Sequence, residues 1–110
     1  MDKIKEFFNR EQNLLIHITA SILVVIFGLI FNISYTEWLL VSLMIMLVIV
    51  AELINSAIEL TVDLYTSKFN SLAMIAKDTA AAAVVVSAFT AAAVGMYIFL
   101  PKVISLLRSI

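Results

Sequence analysis

Glu52, Asn55, Glu59 and Asp63 stand at i, i+3, i+7 and i+11 in a stretch otherwise rich in Leu, Ile, Val and Met. At about 100° per residue they fall along one stripe of a helix, and at about 1.5 Å per residue the two glutamates lie about 10 Å apart along its axis. Paired carboxylate oxygens beside water suit Mg²⁺, which favours carboxylates together with phosphate oxygens. A glutamate set deeper, at the level of lipid headgroups, is placed to take the proton of a lipid hydroxyl. A lysine in the same plane neutralises phosphate charge. Phosphoryl transfer from a soluble nucleotide to a lipid alcohol is one chemistry these residue types serve, among several.

The composition says what kind of element must hold them. Of 110 residues, 64% are hydrophobic and 14% charged, against roughly 45–50% and about 25% in a soluble domain. The 7 basic and 8 acidic residues nearly cancel, to −1, so no basic field exists to hold a nucleic acid. There is no cysteine for disulfides or thiolate metal sites. The glycines, Gly28 and Gly95, lie too far apart for a phosphate-cradling glycine loop.

No formal charge occurs from Gln12 to Thr36, from Trp38 to Ala51, or from Thr79 to Pro101. A membrane helix needs about 20 apolar residues, so these runs predict three transmembrane helices, at about 13–33, 38–59 and 79–100. Ahead of them, Ile4, Phe7 and Phe8 fall at helical spacing opposite Lys3, Lys5, Glu6 and Arg10, which predicts a short amphipathic surface helix over 1–10. A cleaved secretory signal is the competing reading, but the apolar run is too long and no small-residue cleavage site follows. The chain reads as one all-α membrane domain.

Lys3, Lys5, Arg10, Lys68 and Lys77 flank one side of these spans and only Lys102 and Arg108 the other. The positive-inside rule therefore places the N-terminus and the 60–78 loop in the cytoplasm. Glu11, Glu59, Lys77 and Asp78 then share one plane at the cytoplasmic surface, with Glu52 and Asn55 beneath it. Charges at helix ends need no function, because they snorkel to water. Glu52 does need an explanation, since a carboxylate inside a membrane helix costs about 2.5–3.5 kcal/mol even on the mildest scale. His17, about 240° around its helix from Glu11, reads as a structural hydrogen-bonding residue.

The stretch ELINSAIELTVD from Glu52 to Asp63, with AKDTAAAAV at Ala76–Val84, closely resembles the prokaryotic diacylglycerol kinases, a family of small integral-membrane lipid kinases. The likeness runs from about Arg10 to Pro101, and VDLYTSKFNSLAMIAKD is most similar to the undecaprenol kinases of Gram-positive bacteria. By position, the resemblance implies Glu52 as catalytic base, Asn55 as its polar support, and Glu11 with Glu59 as ligands of the Mg²⁺ that accompanies ATP. It implies nucleotide contacts at Glu11, Glu59, Lys68, Phe69, Asn70, Lys77 and Asp78. It further implies a homotrimer in the bacterial cytoplasmic membrane acting on undecaprenol or, alternatively, diacylglycerol. Asn70, Met74 and Ala82 depart from the family's usual residues, but every acidic ligand is kept.

In the third span Ala83, Ser87, Ala91 and Gly95 recur every fourth residue, a small-residue stripe that lets helices approach closely, within one chain or between chains. Two readings of another class remain. An ion pathway would also use intramembrane carboxylates, but nothing ionisable continues beyond Glu52 toward the outer side. A packing subunit would account for the alanines and not for the acidic plane.

Overall fold

The computed structural model describes residues 2–110, without the side chains of residues 7–10. Four helices follow one another: α1 (Asp2–Arg10), α2 (Gln12–Ile30), α3 (Tyr35–Tyr65) and α4 (Ser71–Ser109). The last three are each long and apolar enough to cross a membrane, so the chain is an all-helical, multi-pass membrane protein. α1 occupies the segment expected to be a surface helix. Met1 and the side chains of Phe7, Phe8 and Arg10, on which that expectation partly rests, lie outside the described residues.

α3 and α4 outrun the spans read from the sequence. Hydropathy marks only what the bilayer hides, whereas caps mark where backbone hydrogen bonding starts. Ser34 and Glu37 form a capping box: Ser34 Oγ accepts from the Glu37 amide at 3.2 Å and Glu37 Oε1 from the Ser34 amide at 2.9 Å. That starts α3 before Trp38. Asn70 Oδ1 accepts from the amides of Leu72 and Ala73 at 2.9 and 3.1 Å, starting α4 eight residues ahead of the apolar run. At about 1.5 Å per residue, α4 accounts for the whole 58 Å long axis of the molecule, continuing through Pro101.

α3 packs along α4, while α2 leans on α3 alone and makes no close backbone approach to α4. The apolar core gathers at the end holding the α2–α3 turn. Ile33, Val41 and Ile98 are buried there against Val24, Trp38 and Val94, and Phe31 and Phe99 meet edge to face with centroids 6.2 Å apart. Lys102 Nζ donates to Glu37 Oε2 at 3.1 Å, tying the start of α3 to α4. Of the two basic residues on that side, Lys102 and Arg108, the first is thus paired with a carboxylate. Of the small-residue stripe, Ser87 is buried. Ala91 and Gly95 instead line an apolar cavity of about 280 Å³ between α2, α3 and α4, and a Cβ on Gly95 would meet nothing within 4 Å.

Gly28 is different. The chain reverses after it through Asn32, whose φ of 50° is left-handed, and Trp38 folds back so closely that a Cβ on Gly28 would stand 2.6 Å from its ring and 3.1 Å from Ile33. Gly28→Ala is therefore expected to destabilise the protein by about 1–3 kcal/mol through overpacking. Thermal unfolding in detergent, followed by the fluorescence of Trp38, the single tryptophan, measures this. An unchanged melting temperature would show that the turn does not need the close approach. Gly95→Ala, with open space around it, is the control.

Candidate active site

The end of the bundle opposite the apolar core buries polar groups instead: Glu11, Glu52, Asn55 and Ser56 are all under 9% exposed. Each is placed by an identifiable local feature. Glu11 is the cap residue between α1 and α2, with φ −101° and ψ 58° and no side-chain capping bond. Its carboxylate is therefore free to turn inward, where Oε2 accepts from Ser56 Oγ at 2.6 Å. Glu52, Asn55, Ser56 and Glu59 occupy successive turns of α3, as the i, i+3, i+7 spacing requires. Asn55 Nδ2 donates to Glu59 Oε1 at 3.2 Å, and Asn55 Oδ1 is a buried acceptor without a partner.

Glu52 is 2% exposed, and its Oε2 lies 3.9 Å from His17 Nε2 of α2. Counting 100° per residue from Glu11 placed His17 away from the acidic groups, but α2 begins only at Gln12, so the count started on a residue outside the helix. The face of α2 that meets α3 carries Leu14, His17, Ser21 and Val24. Ser56 was also missed. Its position four residues after Glu52 was the available signal.

Farther along α3, Asp63 forms an ion pair with Lys77 of α4. Lys77 thus joins the acidic end of the bundle, though through Asp63, a stripe member given no role from the sequence. Both side chains keep substantial exposure, so this pair can open to a ligand at small cost. Asp78, Lys68, Phe69 and Asn70 are exposed, Phe69 at 80%. Asp63, Lys68, Phe69, Asn70, Lys77 and Asp78 together line a hollow of about 240 Å³ at the junction of α3 and α4. The sequence-read residues therefore fall into two neighbouring groups. One is inner, formed by the buried Glu11, Glu52 and Asn55 with the half-buried Glu59 at its edge. The other is open, formed by the connecting loop with Lys77 and Asp78.

Among the described residues no three of His, Cys, Asp or Glu converge as a ready-made metal cage. A cation bound here would have to take part of its coordination from a ligand, as Mg²⁺ does with phosphates.

Comparison with known proteins assigns this architecture. The family model described as prokaryotic diacylglycerol kinase matches residues 1–99. The chain is 43% identical to the undecaprenol kinase of Bacillus subtilis (strain 168) over 99 residues, covering 90% of this chain and 80% of that protein. It is 34% identical to the diacylglycerol kinase of Synechocystis sp. over 101 residues, covering 91% of this chain and 58% of that protein. No solved structure matches. With a carboxylate-bearing stripe on its second apolar helix and an A-K-D opening the third, matched by the family model over nearly its full length, the chain belongs to the prokaryotic diacylglycerol kinase family.

Proposed function

We propose that the protein transfers the γ-phosphoryl group of ATP to the hydroxyl of undecaprenol, giving undecaprenyl phosphate, at the cytoplasmic face of a bacterial plasma membrane. The observation that carries the reading is Glu52, a carboxylate 2% exposed in a membrane-crossing helix and about 10 Å deeper along α3 than Glu59. An intramembrane carboxylate needs a function that repays its insertion cost, and a lipid hydroxyl is the substrate that reaches it. The choice of undecaprenol rests on the likeness to the Bacillus subtilis enzyme.

In this reading Glu52 takes the proton of the lipid hydroxyl while the freed oxygen forms a bond to the γ-phosphorus. The bond from that phosphorus to the β-bridging oxygen breaks, and ADP leaves with the electron pair. Asn55, bonded to Glu59, links the base to the nucleotide end of the stripe. Glu11 and Glu59 would hold Mg²⁺. The donor set fits, because Glu11 spends only Oε2 on Ser56 and the buried, unpartnered Oδ1 of Asn55 is a third hard oxygen beside them. When bound with ATP, the ion neutralises charge on the β- and γ-phosphates. Lys77 exchanges Asp63 for a phosphate oxygen, and Asp78 with Lys68, Phe69 and Asn70 borders the nucleotide.

The distribution of Lys and Arg supports a cytoplasmic N-terminus, with α1 lying on the membrane surface. A homotrimer is part of the proposal. Apolar side chains such as Leu29, Val86 and Phe89 are exposed along the membrane-crossing helices, and α2 and α4 leave a gap between them that helices of further copies of the chain can border.

Three outcomes are expected. Glu52→Gln abolishes turnover, by about 10²–10⁴-fold, while MgATP binding measured by calorimetry stays close to native; near-native turnover would sink the base assignment. Glu11→Gln and Glu59→Gln each weaken MgATP binding, and the double variant adds little beyond either, as groups acting as a unit do. Mg²⁺ titrations at fixed ATP read this, and fully additive losses would assign the two glutamates to separate sites. Undecaprenol is phosphorylated with higher kcat/KM than diacylglycerol in the same detergent at saturating ATP. Some cross-activity is expected, since apolar grooves discriminate by only about 1–3 kcal/mol per methylene. A clear preference for diacylglycerol would overturn the substrate while leaving a lipid kinase.

A further inference from the structure

Glu52 has two carboxylate oxygens to satisfy. Of the groups whose charge acts on it, Glu11 and Glu59 are acidic like itself, and Asn55, the hydrogen-bonding side chain that α3 supplies to it, is shared with Glu59. The partner from a different helix is His17, with Nε2 at 3.9 Å from Glu52 Oε2. That distance is long for a hydrogen bond, and catalytic contacts tighten when substrate binds. The His17 ring is thus turned toward Glu52.

Packing does not explain the imidazole. His17 sits on the face of α2 that meets α3 and borders the apolar cavity of about 280 Å³, so the ring stands beside space it does not fill. A leucine would cost less in a membrane helix than a histidine that serves only as filler. What the ring supplies, and no aliphatic side chain can, is a donor aimed at one carboxylate oxygen.

We propose that His17 is a positioning residue for Glu52. Its Nε2–H donates to Oε2, fixing the rotation of the carboxylate so that Oε1 is presented to the lipid hydroxyl. This rests on the reading of Glu52 as the base. It gives α2 itself a part in the transfer, since the helix that follows the Glu11–Ser56 tie would orient Glu52, about one turn deeper on α3 than Ser56.

The test uses the full chain in detergent with undecaprenol and ATP, with rates taken per MgATP-binding site so that loss of folded protein does not register. His17→Leu is expected to lower kcat about 10–100-fold, the range for losing a residue that orients a working group, with KM for MgATP changed less than about twofold. His17→Gln, whose amide nitrogen reaches the place of Nε2, is expected to recover kcat to within about fivefold of the parent. In a Glu52→Gln background, His17→Leu is expected to cost nothing more. Should His17→Leu fail to fold, the comparison of His17→Gln with His17→Asn decides, because the shorter amide cannot place a donor at Nε2. The proposal is overturned if His17→Leu keeps kcat within twofold, if the glutamine is no better than leucine or asparagine, or if the double variant shows full additivity. An active Glu52→Gln overturns the base assignment itself, whereas an inactive Glu52→Gln beside a fully active His17→Leu removes only the role of His17.

Discussion

The hydrogen bond from Ser56 to Glu11, 2.6 Å long and buried, is the contact on which the functional end of this molecule depends. In a bilayer, lipid tails are as apolar as leucine, so hydrophobic burial does not drive helices together. α2 approaches the backbone of α3 but not that of α4, and it needs a polar tie to fix its register. Ser56 provides it at the one point where the chain changes direction between α1 and α2. Because Glu11 is a cap rather than a helical residue, its side chain can reach α3 without bending α2. Once that bond is made, His17 is carried to Glu52 and Leu14 to the helix interface.

A second polar tie works at the other end. Glu37 spends one oxygen on the Ser34 amide and the other on Lys102, so a single carboxylate both starts α3 and fastens it to α4. It is the counterpart of the inner arrangement with a different purpose. Its partners satisfy both oxygens, whereas at the inner end Asn55 Oδ1 is left without a partner. Native proteins rarely leave a buried polar atom unpaired, and departures from local economy gather at working sites.

How far the sequence carried can be read from single residues. The spans were legible because charges are scarce enough to bound them, and the Glu52–Asp63 stripe because helical periodicity is rigid over eleven residues. Helix limits were less legible: capping by Ser34 and Asn70 is a local hydrogen-bond matter that hydropathy does not see. The approach of His17 to Glu52 was not legible for a definite reason, the break in helical phase at Glu11, which no periodicity count can anticipate. Lys77 was placed at the right end, but its pairing with Asp63 depends on how α4 is rotated against α3, a property of packing rather than of either segment. The roles of Glu52, Glu11 and Glu59 came from the family's motif, since spacing alone fits other chemistries.

The two ends of the bundle divide stability from exchange. Where Ile33, Val41 and Ile98 are buried and Phe31 meets Phe99, the helices are held by close apolar packing. At the acidic end they are tied by a few polar contacts: the Glu11–Ser56 bond and the partly exposed Asp63–Lys77 pair. Regions with few buried apolar contacts and exposed ties open at the lowest free-energy cost. A lipid kinase must admit one substrate from the membrane and another from water to the same few ångströms, then release two products in opposite directions. Anchoring the helices at the far end leaves the near end the easier one to open without loss of the fold, and the Asp63–Lys77 pair, the more exposed of its two ties between helices, is the one that gives way at the lower cost while Glu11 stays bonded to the buried Ser56.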